Sequence, residues 1–90
     1  MPATAEDFRS ALSSLLDEAN RLGFSYIGIT AGALHRRVRG YPGTEHRMPI
    51  CCAAMRGVMG PSDRIVEQPP SGNGASLLIQ FALPRTVGDA

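Results

Sequence analysis

Five of the nine arginines, Arg36, Arg37, Arg39, Arg47 and Arg56, fall within residues 35–56, where Glu45 is the sole acid. That segment carries a formal charge of +4, although the whole chain carries only +1. The flanks are acidic: Arg9 and Arg21 stand against Glu6, Asp7, Asp17 and Glu18 on one side, Arg64 and Arg85 against Asp63, Glu67 and Asp89 on the other. Cationic charge confined to one segment suits the neutralisation of phosphates, which supplies most of the affinity for nucleic acids. There is no lysine, so every such contact is a guanidinium, which forks onto phosphate or a guanine edge where lysine acts as a point charge.

Other residues with chemistry are fewer. His35, His46, Cys51 and Cys52 can be assembled into a metal set, but zinc sites favour pairs such as C-x₂₋₄-C or H-x₃₋₅-H. Two consecutive cysteines rarely aim both sulfurs at one ion, so no metal or other cofactor is expected. An intrachain disulfide between adjacent helical cysteines is strained, since their side chains diverge by about 100°. Reduced thiols are expected, one buried and one partly exposed. Cys52 beside His46 and the arginines has the charge environment of a reactive thiolate. Nothing supplies a third orienting group or a cleft, and no catalytic residue is assigned. Ser71-Gly72-Asn73-Gly74 lacks the lysine and the following helix of a phosphate-cradling loop.

Ninety residues suit a single domain with one core. Without tryptophan and with few aromatics, that core must rest on Leu, Ile, Val, Met and Ala. No apolar run approaches the roughly 18 residues that cross a bilayer. Glu6, Asp7 and Arg9 stand where a signal peptide needs a basic start and an apolar stretch, so the chain reads as cytoplasmic, with no membrane partner.

The elements that position these residues follow from periodicity. Thr4 caps a helix whose apolar stripe is Phe8, Leu12, Leu15, Leu16, Ala19 and Leu22, ended by Gly23, with Phe24 folding back on Ala19. Phe24–Ile29 is a short strand. Thr30 caps a second helix, Ala31–Val38, and Gly40-Tyr41-Pro42-Gly43 forms a turn, with Tyr41 covering the end of the core or stacking on a base. A third helix runs from about Glu45, irregular near Pro49, to Val58 or Met59; a start at Met48, with Pro49 as the first helical residue, is the alternative. Its inner side is Ile50, Cys51, Ala54, Met55 and Val58, leaving Cys52 and Arg56 outside. Arg64–Gln68 and Ala75–Leu83 read as a hairpin around a Pro/Gly-rich loop, with Pro84 as a stop and Thr86–Ala90 as a loose tail. Ordered structure is expected over about residues 5–83.

This order is similar to the winged helix-turn-helix superfamily: an α+β fold of three helices, a short strand and a C-terminal β-hairpin wing. The segment Gly40-Tyr41-Pro42-Gly43-Thr44-Glu45-His46-Arg47-Met48-Pro49-Ile50-Cys51-Cys52 also resembles one in small bacterial proteins of unassigned role. The winged-helix resemblance implies double-stranded DNA as partner and no enzymatic activity; a regulator of transcription is the expected type. In that arrangement the third helix enters the major groove, with Glu45, His46, Arg47, Met48 and Cys52 nearest the bases and Arg56 one turn on. Arg36, Arg37 and Arg39 contact phosphate, and Ser71, Gly72 and Asn73 at the wing tip approach the backbone or minor groove. A winged-helix module for protein contacts is the alternative, with Met48, Met59 and Leu78 as its exposed apolar residues. Dimerisation stays open: the longer strand, Ala75–Leu83, is expected to leave an unpaired edge, which can recruit a second copy as a homodimer.

Overall fold

The computed structural model describes residues 4–39 and 48–84, with Arg39 described by its backbone alone. It is an α+β fold of three helices and one three-stranded antiparallel sheet, in the order α1 (Ala5–Arg21), β1 (Tyr26–Thr30), α2 (Ala31–Arg39), α3 (Met48–Val58), β2 (Arg64–Glu67) and β3 (Leu78–Ala82). The turn at Gly40–Gly43, the expected helical start at Glu45 and the tail Thr86–Ala90 lie outside the described residues.

Both ends of α1 are fixed by local chemistry. The Asp7 amide donates to Thr4 Oγ1 at 3.2 Å, and the Thr4 amide donates to Asp7 Oδ2 at 2.9 Å. This capping box satisfies two amides that the helix leaves without partners. At the other end Gly23 adopts φ +85°, a conformation costly for any residue with a Cβ. Its amide donates to Asn20 O at 3.1 Å and that of Phe24 to Ala19 O at 3.2 Å, which closes the last turn. Phe8, Leu12, Leu16 and Ala19 are buried. Leu22, the C-cap, and Phe24 lie past the last turn and stay 67% and 54% exposed, so the expected packing of Phe24 on Ala19 is a backbone bond without a buried ring.

No loop separates β1 from α2. Thr30 ends the strand and caps the helix, accepting from the Ala33 amide at Oγ1 (3.2 Å). The Ala31 and Gly32 amides donate to Leu77 O at 2.9 Å and Ala75 O at 3.0 Å. The first three amides of α2 are therefore all paired, two of them with a distant part of the chain. A Cβ on Gly32 would stand 3.1 Å from Ala75 Cβ and 3.2 Å from Ala75 O, so glycine permits this close approach.

The sheet order is β1-β3-β2. Ile27 and Ile29 of β1 and Ile79 and Phe81 of β3 turn toward the helices, whereas Tyr26, Gly28, Gln80 and Ala82 line the opposite face. β3 is thus central and both its edges are paired. The expected open edge on the longer strand is corrected: the outer strands are β1 and β2. The expected strand Ala75–Leu83 is confined to Leu78–Ala82, because the carbonyls of Ala75 and Leu77 are engaged by α2. β2 pairs with β3 through Arg64↔Gln80, Ile65↔Ile79 and Glu67↔Leu78, with an irregularity between Ile65 and Glu67.

One core joins Phe8, Leu12 and Leu16 of α1 with Leu34 of α2, Cys51, Cys52 and Met55 of α3, and Leu77, Ile79 and Phe81. Truncating a buried leucine in such a core costs about 2–5 kcal/mol. Among the described residues no helix is long and apolar enough to cross a membrane.

Candidate nucleic-acid interface

Arg36 and Arg37 occupy exposed positions near the C-terminal end of α2. Cations there also suit the negative end of the helix dipole. α2 ends at Arg39, whose side chain lies outside the described residues, as do His46 and Arg47. Chain connectivity alone puts His46 and Arg47 between the end of α2 and the start of α3. His35 turns the other way. It is buried, with its ring centroid 5.6 Å from that of Phe8 and the planes inclined at 34°.

Arg56 has a different occupation. Its Nη1 donates to Asn73 Oδ1 at 2.8 Å, and its Nη2 donates to Gly72 O and, at 3.4 Å, to Gln68 Oε1. The guanidinium thereby ties α3 to the segment connecting β2 and β3. Gly72 adopts φ +86° within this turn, and Ser71 Oγ donates to Asn73 O at 2.9 Å. The structure brings Arg56 and Asn73 together, with Ser71 beside them, but their polar groups face one another.

The expected base-reading surface on α3 needs correction. Met48 and Cys52 are buried, not exposed. The exposed positions of α3 are Pro49, Ala53 and Gly57, none with a hydrogen-bonding side chain. Met59 and Leu78, expected to be exposed, are half-buried.

Both cysteines are free and buried, so the expectation of one partly exposed thiol is also corrected. Because adjacent helical side chains diverge, they meet different neighbours. Cys51 Sγ donates to Ala31 O at 3.5 Å, and Cys52 Sγ to Gly74 O at 3.6 Å. Burial, with a smaller contribution from the neighbouring Cys52, pushes the Cys51 thiol from 9.0 up to about 12. A thiol held neutral in this way is a poor nucleophile. Among the described residues no three His, Cys, Asp or Glu side chains converge as a metal site.

The sequence reading missed Asp63. Its Oδ2 accepts from the Gly60 amide and its Oδ1 from the Ala82 amide, both at 2.7 Å. One carboxylate thus closes the turn before β2 and continues the ladder on β3. The turn residues Gly60-Pro61-Ser62-Asp63 are a signal for the first bond; nothing local indicates the second. Asp63 also borders an open hollow of about 200 Å³ with Gly60, Pro61, Ser62, Ala82 and Pro84. With both carboxylate oxygens engaged, it is placed for structure. A wider surface groove lies along Glu6, Arg9, Ser10, Ser13, Ser14 and Val58. Glu6 and Arg9, one turn apart on α1, pair with each other beside it at 2.9 Å.

Comparison with protein-family models, with curated proteins and with solved structures returns no match.

Proposed function

We propose that this chain is a winged-helix module that binds double-stranded DNA chiefly through phosphate contacts. The element order and the sheet order β1-β3-β2 support the winged-helix reading, with the β2–β3 connection as its wing. The observation that carries the DNA reading is the exposure of Arg36 and Arg37 near the end of α2, which closes on Arg39 and leads into the segment bearing His46 and Arg47. The uncharged exposed positions Pro49, Ala53 and Gly57 argue against base readout by the described part of α3. Sequence preference then rests on Arg47 and His46, and the arginines of α2 grip the backbone.

Fluorescence anisotropy with a mixed-sequence duplex tests this. Affinity should fall steeply as salt rises, with a log–log slope of about −0.9 per phosphate neutralised. Changing Arg36, Arg37 and Arg39 together to alanine should weaken all sequences and flatten the slope by up to about 3. Absence of binding at low salt would sink the proposal.

The same bare face of α3 favours a second reading, a module for protein contacts. A nuclease-resistant, stoichiometric complex with one protein, lost on Ala53→Arg, is the outcome that would replace the first reading.

A further inference from the structure

We infer that β1 is a docking edge for a second copy of this chain, joined antiparallel about Gly28 into a continuous six-stranded sheet. The phase of the ladder is the first ground. The Leu83 amide donates to Ser25 O at 2.8 Å and the Ala31 amide to Leu77 O at 2.9 Å. With the register Ile27↔Phe81 and Ile29↔Ile79, residues 25, 27, 29 and 31 exchange their bonds with β3 and its flanks. The backbone groups of Tyr26, Gly28 and Thr30 therefore point away from β3, along an edge that no other described strand pairs with. Thr30 turns its carbonyl into α2 as the helix cap. Three amides and two carbonyls remain.

That pattern is complementary to itself. A two-fold axis at Gly28 pairs each Gly28 amide with the other copy's Gly28 carbonyl, and each Thr30 amide with the other copy's Tyr26 carbonyl. Outward positions placed symmetrically about a central member meet the self-complementarity of an isologous strand pair. A glycine at the axis puts no side chain there.

The contrast between the two edges is the second ground. β2 carries the usual guards against edge pairing: Arg64 and Glu67 at its ends, an irregular register between them, and Pro69-Pro70 beyond. β1 has none. Phe24–Thr30 contains no charge and no proline, and all five residues of β1 pair regularly with β3. The neutral strand meets an identical neutral strand without repulsion. Tyr26 and Phe24, 60% and 54% exposed, supply apolar area beside it.

Size sets the strength. Aromatic side chains bury about 150–250 Å² each, so these two leave roughly 200 Å² to cover, well under the ~800 Å² per partner of a standard interface. The dimer should be weak, with a dissociation constant of about 100 µM.

Sedimentation velocity of the purified chain without nucleic acid, from about 10 µM to about 1 mM, tests this independently of DNA binding. The mass should rise reversibly toward twice that of the chain. Amide exchange of Gly28 and Thr30 should slow with concentration, whereas that of Ile27 and Ile29 should not change. Gly28→Pro removes an outward amide and no bond to β3; among the described residues a Cβ there meets Leu78 Cδ1 alone, at 3.4 Å. It should weaken association at least about tenfold with the circular dichroism unchanged. Tyr26→Lys, at an exposed position, should do the same and serves if the proline variant misfolds. A monomer throughout the range overturns the inference. So does a dimer that a folded Gly28→Pro or Tyr26→Lys leaves intact, or one lost on Val66→Lys alone.

Discussion

Replacing Arg56 with alanine separates two roles that one arginine can play. Its guanidinium donates to Asn73 Oδ1 at 2.8 Å and to Gly72 O, with a longer bond of 3.4 Å to Gln68. Hydrogen bonds to a charged group contribute about 1.5–3 kcal/mol each, but the longest adds little and water competes at a half-buried site. A loss of about 2 kcal/mol is expected, which for a domain of this size lowers the melting temperature by roughly 10 °C. Urea and thermal denaturation followed by circular dichroism measure it. Asn73→Ala should cost about 1 kcal/mol, and the double variant should fall short of the sum by about 1 kcal/mol because both changes remove one interaction. Arg56→Lys should recover little, since an ammonium cannot fork onto two acceptors. Full stability in Arg56→Ala, or strict additivity with Asn73→Ala, would refute the tether. A DNA affinity that drops in Arg56→Ala at unchanged stability would return this arginine to the nucleic-acid surface.

Two other outcomes follow from buried or shared polar groups. Asp63→Ala leaves the amides of Gly60 and Ala82 without their acceptor and should cost about 2 kcal/mol, with exchange of the Ala82 amide accelerated. Asp63→Asn should recover only part, because its NH₂ faces one of the two donors. Cys51 gives a pH dependence whose sign is fixed: its folded pKa is raised, so the folded state holds the proton more tightly. Its contribution is complete below pH 9.0 and is lost as pH rises toward about 12, at up to about 1.4 kcal/mol per unit. Cys51→Ala should flatten the alkaline limb of a stability–pH curve; an unchanged slope would exclude this thiol as the cause.

Much of the helical framework can be read locally. The stripe Phe8, Leu12, Leu16 and Ala19, the Thr4 and Thr30 caps and the left-handed Gly23 are each set by neighbours within a few residues. The exposure of Arg36 and Arg37 likewise follows from the inward placement of Leu34 on a short helix. What escapes the sequence depends on distant partners. Cys52 reads as outward because α3 looks two-sided, yet the segment carrying Gly74 covers it. Arg56 reads as a free cation until that segment brings Asn73 to it. The strand expected from Ala75 is shortened because Ala75 and Leu77 serve the start of α2, far back along the chain, a link no local pattern encodes.

The strand in the middle of the sheet is also the last of the three to be synthesised. Neither β1 nor β2 has a neighbour in the sheet until residues 78–82 leave the ribosome, and α2 waits on Ala75 and Leu77, just ahead of them, for two of its opening amides. The nascent chain must therefore carry its neutral first strand uncovered through most of translation, when chaperone capture or mispairing between chains on neighbouring ribosomes competes with folding.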